Sequence, residues 1–164
     1  MYQGRVIRLI REQLEIGGQR LVRETIQHPG AVVIAPMIDR SHLVFVRQYR
    51  RAVRRWLIEL PAGTLSPKEP RLACARRELR EETGWTARRW HKLGQFYAAP
   101  GFVSELMTLF LAQDLINGPA SPEADELVTP VILSLREALA KIRSGAICDA
   151  KTIIGVLLIR QEIG

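Results

Sequence analysis

Cysteine is nearly missing from this 164-residue chain. The two present, Cys74 and Cys148, stand far apart and in no metal-ligand spacing. That excludes a zinc finger and a disulfide framework, and it predicts two buried free thiols in a reducing compartment. Aromatic residues make up only 6% of the chain, and no aromatic-rich RNA-binding segment or basic heptad is found. Long apolar runs are lacking too: the longest, such as Ala31–Met37, have the length of a strand, so no membrane span is expected. The opening Met1-Tyr2-Gln3-Gly4-Arg5 has no apolar stretch behind its charge, which predicts no secretory signal and a cytoplasmic protein. Repeats, low-complexity tracts and linkers are absent from the sequence, so residues 1–164 are expected to form one domain.

What is present is a core and an arginine-borne charge. Apolar residues reach 47%, too many for wholesale disorder. The net charge is +7, carried by 20 arginines and only 4 lysines. A basic balance favours anionic partners, but a merely solvated surface is the commoner reading, and the charge alone does not choose between nucleic acid and a small phosphorylated molecule; the missing nucleic-acid motifs make nucleic acid the less expected partner.

The first third alternates β-rich segments with turn signals. Strands are predicted at Arg5–Ile10, Arg20–Ile26, Ala31–Met37 and Leu43–Gln48, with turns at Gly17-Gly18 and Asp39-Arg40-Ser41. Trp56–Leu60 reads as a short strand stopped by Pro61, followed by a loop over Ala62–Pro70. Arg71–Thr83 is predicted helical, with Leu72, Ala75 and Leu79 as its buried stripe and Gly84 as its terminator. Leu93–Ala99, Glu105–Leu111 and Leu127–Leu133 return to strand character, the last marked by Pro130 as an edge or a bulge. Helices are predicted over Leu135–Arg143 and from Ala150 to about Ile163, the second capped by Asp149. Strands mixed with helices imply an α/β or α+β layered domain.

The chemistry concentrates on the first helix. Glu78, Glu81 and Glu82 fall at i, i+3 and i+4, so three carboxylates share one helix face. Arg77 and Arg80 could balance them as a solvated face. A hard cation would also balance them: Mg²⁺ takes oxygen ligands, keeps several waters and bridges carboxylates to substrate phosphates. The surroundings decide between the two. Gly63 is followed after five residues by Glu69, after seven more by Arg77-Glu78-Leu79, then by Glu81-Glu82 and Gly84-Trp85. So many fixed positions at fixed spacing are far more specific than a short glycine motif.

Residues 63–85 match the Nudix box, G-x5-E-x7-R-E-U-x-E-E-x-G-U with U apolar, at every specified position, and the chain resembles the Nudix hydrolases. The flanks are similar to the ADP-ribose pyrophosphatase branch: His28-Pro29-Gly30, Val46-Arg47-Gln48-Tyr49-Arg50, Glu59-Leu60-Pro61-Ala62-Gly63 and Ala99-Pro100-Gly101-Phe102-Val103-Ser104-Glu105. Pro100 lies sixteen residues after Gly84, where ADP-ribose hydrolases usually carry a proline. The closing Asp149-Ala150-Lys151-Thr152 is similar as well. GDP-mannose and ADP-glucose hydrolases share much of these flanks.

The resemblance implies an α/β/α sandwich with a mixed sheet and a loop-helix-loop, and hydrolysis of ADP-ribose to AMP and ribose 5-phosphate with Mg²⁺, or Mn²⁺, as cofactor. It implies metal ligation by Glu78, Glu81, Glu82 and the Ala62 carbonyl, with Glu81 and Glu82 in the catalytic set, and a structural frame of Gly63, Glu69, Arg77 and Gly84. Substrate contacts are expected from Arg50, Glu59, Pro100, Gly101 and Glu105; Arg50 could equally form an ion pair, and Glu105 could be a plain surface carboxylate. The general base is expected from the acidic segment 121–126, Glu123 first and Glu126 second. The branch further implies a homodimer in which roughly residues 1–30 are exchanged. Tyr49 and Trp56 could stack a base, with core packing the expectation for Trp56. A reading from another class is a ligand-sensing module of the same fold, but such a module would be expected to have lost box glutamates, and all are here.

Overall fold

The computed structural model describes residues 1–119 and 127–163. Among these, ten strands and three helices form. Strands β1 (Tyr2–Gln3), β2 (Arg8–Ile16) and β3 (Gln19–Gln27) make an antiparallel sheet of their own. Then follow β4 (Ala31–Pro36), β5 (His42–Arg50), β6 (Arg55–Glu59), β7 (Ala62–Thr64) and α1 (Arg71–Thr83). The chain continues through β8 (Thr86–Tyr97), β9 (Leu106–Ile116), β10 (Val128–Ser134), α2 (Leu135–Arg143) and α3 (Ala150–Ile163).

The middle of the molecule is the four-stranded sheet β7-β4-β9-β8, in which β4 and β9 run parallel and the other pairs antiparallel. Every residue of β4 is buried. The reason is that both its faces are covered, the condition under which a strand reads as a continuous apolar run. Val33 and Ala35 point into a core shared with Ala138 of α2 and with Val156 and Ile159 of α3. Val32 and Ile34 point the other way, onto Cys74, Ala75 and Leu79 of α1. Strand β9 splits its side chains in the same manner, Leu109 and Leu111 to one core and Phe110 and Ala112 to the other. Helices therefore sit on both faces of a mixed sheet. A third sheet, β10-β5-β6, lies beside it, with Pro130 on the edge strand where a missing N–H costs least.

Local chemistry explains the joints. Gly17 and Gly18 both take positive φ, 61° and 75°, which closes the β2–β3 hairpin with the twist its strands need. Gly84 ends α1 in the left-handed region at φ 77°, its N–H bonding the Arg80 carbonyl at 2.9 Å. Ser134 and Glu137 form a capping box on α2.

Several expectations need correction. The strand expected at Arg5–Ile10 is β2, which runs over Arg8–Ile16, because the Gly17-Gly18 turn pairs the whole stretch with β3. The loop after Pro61 contains β7, a strand of three residues. Strand β8 starts at Thr86, seven residues before Leu93, and its charged outer positions hide the alternation. Cys74 is buried as expected, but Cys148 is exposed. Trp56 lies outside the core, 43% exposed. No helix among the described residues is long and apolar enough to cross a membrane.

Candidate active site

The loop before α1 folds back on the helix it precedes. Glu69 accepts from the Arg77 Nε–H at 3.0 Å and from Nη2–H at 3.1 Å, a bidentate grip on one carboxylate. Its Oε2 also takes the Ser66 N–H at 3.0 Å. To bring Glu69 round, Lys68 adopts φ 64°, a conformation glycine takes without cost.

Arg77 does more than hold Glu69. Its Nη1 lies 2.7 Å from Glu78 and 3.0 Å from Glu81, so one guanidinium serves three carboxylates. The Glu69 hydrogen bonds, opposed by desolvation and helped by the Glu78 charge and the Glu81 bond, push the Arg77 pKa still higher. The same Arg77 bonds hold the Glu69 carboxyl down at about 2. A carboxyl lowered on folding stabilises the folded state above its ordinary value of 4.5, and that stabilisation is lost as pH falls toward about 2. Glu69→Gln should therefore flatten the acid limb of a Tm-against-pH profile over that window. A variant profile parallel to the parent's would refute the linkage.

Glu78 and Glu82 are buried on the inner face of α1, at 8% and 2% exposure, against the main chain of residues 62 and 63. Glu82 Oε2 accepts the Ala62 N–H at 3.1 Å. Gly63 leaves the space that Glu78 occupies, for a Cβ there would fall 1.9 Å from the Glu78 carboxyl carbon. The spacing of the box thus becomes a surface of three carboxylates and one peptide strand. Among the described residues no three His, Cys, Asp or Glu side chains already converge as a metal cage. Glu78 and Glu81 instead face Arg77, and Glu82 faces the Ala62 amide. Cys74, beneath this surface, is no nucleophile: burial, with the Glu69 and Glu78 charges, pushes its thiol up to about 12.

A second network stands beside the first. Glu59 is 1% exposed and receives Arg50 bidentately, at 2.9 Å from Nε and 2.5 Å from Nη2. Lys151 donates to the same carboxylate and lies 3.0 Å from Asp149. Burial alone would raise the Glu59 carboxyl, but the bonds and fields of Arg50 and Lys151 together bring it below its ordinary range. Asp149 accepts the Thr152 N–H at 3.0 Å, capping α3, and also takes the Thr152 hydroxyl proton at 2.6 Å. Thr152 Oγ1 in turn accepts the Leu60 N–H at 2.8 Å. The strand end at Glu59–Leu60 is thereby locked to the start of α3. The sequence showed Asp149-Ala150-Lys151-Thr152 only as a likeness. The capping pattern was its one physical signal, and it did not reveal that Lys151 reaches Glu59.

Removing one partner of a buried pair leaves the other charge stranded. Lys151→Met should cost about 3 kcal/mol of unfolding free energy in urea, the low end for such pairs because Arg50 stays. A loss under about 1 kcal/mol would show that Arg50 alone satisfies Glu59.

The remaining expected residues lie at a different edge. Pro100 and Gly101 form an exposed turn, with Phe102 N–H on the Ala99 carbonyl at 3.2 Å. This turn is tied to β3 by Ile26 N–H on the Phe102 carbonyl, 2.8 Å. Glu105 approaches His28 Nδ1 at 3.6 Å. That nitrogen takes the Gly30 N–H at 3.1 Å, and at 3.6 Å the Glu105 carboxylate stands beyond hydrogen-bond distance of it. Glu123 and Glu126 lie outside the described residues. An aromatic site went unforeseen in its arrangement: Arg47 stacks over Trp56 at 4.4 Å, and Tyr49 meets the same indole edge-on at 5.6 Å.

Comparison with known proteins follows this geometry closely. The family model described as NUDIX domain matches residues 27–153. A protein of Bacillus subtilis (strain 168) named ADP-ribose pyrophosphatase is 36% identical over 159 residues, covering 95% of this chain and 86% of that protein. One of Cronobacter sakazakii named GDP-mannose pyrophosphatase is 36% identical over 137 residues, 76% of this chain and 70% of that protein. A solved structure described as an ADP compounds hydrolase superimposes with a TM-score of 0.86 at 25% identity, covering 99% of this chain and 89% of that one. The match spans the sheet, the carboxylate helix and the Glu59 strand end alike, and the chain belongs to the NUDIX family.

Proposed function

We propose that this chain hydrolyses the pyrophosphate bond of ADP-ribose to AMP and ribose 5-phosphate, in the cytoplasm, with Mg²⁺ as cofactor and Mn²⁺ as a substitute. The observation that carries the hydrolytic reading is the carboxylate face of α1 laid against residues 62–63. The substrate rests on the flanks of the box and on what the Bacillus subtilis relative is named for.

The donor set fits a hard divalent ion. Glu78, Glu81, Glu82 and the Ala62 carbonyl offer oxygen only. Mg²⁺ is usually held by one or two carboxylates together with substrate phosphates rather than by a complete protein cage, so carboxylates that do not preconverge suit it. Bound ions of this kind would neutralise diphosphate charge and acidify the attacking water.

The chain's own residues orient the reaction. Arg77 fixes Glu78 and Glu81 from one side, and the Ala62 amide fixes Glu82 from the other. Arg50 is held by Glu59 through Nε and Nη2, and its side chain is 39% exposed. A guanidinium so anchored can offer its remaining nitrogen to a phosphate oxygen. Arg47, Trp56 and Tyr49 offer a cationic and aromatic platform for a base. We assign the remaining substrate contacts to Pro100, Gly101 and Glu105. Water attacks one phosphorus, the bridging P–O bond breaks, and the water proton goes to a carboxylate, Glu123 first and Glu126 second.

The test is a hydrolysis panel with ADP-ribose, ADP-glucose, GDP-mannose, NADH and 8-oxo-dGTP under Mg²⁺. AMP released fastest from ADP-ribose is the expected result. A faster rate on GDP-mannose would move the substrate to that of the Cronobacter relative while leaving the metal site in place. No cleavage of any compound under any divalent ion would overturn the enzyme itself.

A homodimer belongs to the same reading. Among the described residues the β1–β3 sheet joins no other sheet, and its Leu9, Leu14, Ile16 and Val22 are 38% to 54% exposed. A ribbon with that much apolar surface calls for a partner. Sedimentation should give twice the 18.6 kDa chain mass, and Leu14→Glu with Val22→Glu should return it to one. A parent that sediments as a monomer at tens of micromolar, on the order of ordinary assay concentrations, would end the dimer proposal.

A further inference from the structure

Behind the carboxylate face, the opposite side of α1 carries a cleft that hydrolysis does not use. It measures about 310 Å³ and is lined by Arg76, Arg77 and Arg80 of α1 and by Thr86, Ala87 and Trp90 of β8. Among the described residues no acidic side chain lines it. Clefts that hold small ligands start on the order of 300 Å³.

The arginines in it differ in what they have left to give. Arg77 is committed to Glu69, Glu78, Glu81 and the Cys74 sulfur. Arg76 and Arg80 are exposed, and their side chains make no hydrogen bond or ion pair among the described residues. They stand four apart, so one lies above the other on the helix. Like charges at that spacing repel, and the opposite helix face cannot relieve them because Arg77 already serves its carboxylates. Two planar guanidinium forks aimed into one cleft are the donors a phosphate group selects.

The other wall is fixed and apolar. Trp90 donates its indole N–H to the Ala87 carbonyl at 3.1 Å and packs edge-on against Phe110, ring centres 6.3 Å apart. The indole is thus held beside the two arginines without needing a ligand to place it.

We infer that this cleft is a second anion site, separate from the hydrolytic one, which takes a phosphomonoester with its phosphate on Arg76 and Arg80 and its organic part against Trp90. Arg77 contributes field but no free hydrogen bond. The cleft's size points to a small molecule rather than a nucleic-acid strand. The site does not depend on the metal reading, since none of Glu78, Glu81 or Glu82 lines it.

The experiment follows the Trp90 indole signal in a ¹H–¹⁵N correlation spectrum of the whole chain. AMP and inorganic phosphate are titrated separately, with EDTA present so that no divalent ion recruits them to the carboxylate face. Saturable shifts of Trp90 and its β8 neighbours are expected, weakened about tenfold or more in Arg76→Gln/Arg80→Gln, whose spectrum should otherwise overlay the parent's. Tighter binding of AMP than of phosphate would assign the apolar wall to the organic part; equal binding would assign the site to free phosphate. No saturable shift by either anion up to millimolar concentration, or binding undiminished in the double variant, would overturn the proposal. Because the divalent ion is absent, either result is independent of whether ADP-ribose is cut.

Discussion

Glu82→Gln is expected to lower kcat on the best substrate by about a thousandfold or more while leaving the chain folded. The residue is 2% exposed, and its Oε2 accepts the Ala62 N–H at 3.1 Å. Glutamine keeps the shape and can still accept that hydrogen bond through its amide oxygen. What it removes is one negative charge from the proposed metal site. Burying a carboxylate is costly in a folded protein, so neutralising it should leave the thermal midpoint unchanged or raise it when no divalent ion is present. Added Mg²⁺ should then raise the midpoint of the parent and not that of the variant, because only the parent gains binding free energy on folding. The two readings together separate a catalytic loss from a folding loss. A variant that turned over within about tenfold of the parent would remove Glu82 from the metal set and leave the hydrolytic assignment to Glu78 and Glu81.

The layered fold and the carboxylate helix were open to reading in the sequence because each rests on local periodicity. Val32 to Ala35 are apolar at every position, and a strand buried on both sides has no reason to alternate. Glu78, Glu81 and Glu82 share a face by helix geometry alone. Strand β8 was half hidden because it lies at the edge of its sheet: Arg88 and Arg89 stay in solvent, and only Ala87 and Trp90 turn inward to α1. Trp56 was expected inside on the strength of its size. It lies on β6 opposite Tyr49 of β5, with Arg47 over its ring, and stays 43% exposed.

Long-range charge was the least legible feature. Glu59 and Lys151 lie 92 positions apart, and nothing in either local segment specifies the pair. The apolar Leu60 beside Glu59 gave no hint that a carboxylate there would be buried at 1% exposure. Only the docking of α3 onto the main sheet, through Val156 and Ile159, brings Lys151 to it. The same docking explains Gly155, where a Cβ would stand 2.4 Å from a methyl of Leu60. The site is therefore assembled from two kinds of information: a box written along one loop and helix, and a charge pair written only in the tertiary packing.

Gly63→Ala tests the first kind most sharply. The added methyl would sit 1.9 Å from both the carboxyl carbon and Oε1 of Glu78, and 2.2 Å from its Cγ. No two heavy atoms can share that space, so one side must move. Residue 63 lies on β7 and is paired with Val32 in the middle of a buried strand, so the main chain there is held by its ladder. Glu78 is a flexible side chain, and its carboxylate is the part that yields. It would swing away from residues 62–63 and from Arg77 Nη1, from which it now lies 2.7 Å. A displacement on the order of 1 Å at a reacting centre costs about a hundredfold in rate, and this one exceeds it. The expected result is a loss of about a hundredfold or more in kcat/KM together with a weaker Mg²⁺ dependence, against a modest fall in Tm. Gly63→Ala combined with Glu78→Ala should recover the lost Tm without recovering activity, because the second change clears the space but removes the carboxylate. A fully active single variant would mean that Glu78 works equally well from another position. A single variant that failed to fold, and was not rescued by Glu78→Ala, would mean that the β7 main chain yields instead of the side chain. Either outcome would sink the argument that Gly63 is there to make room for Glu78.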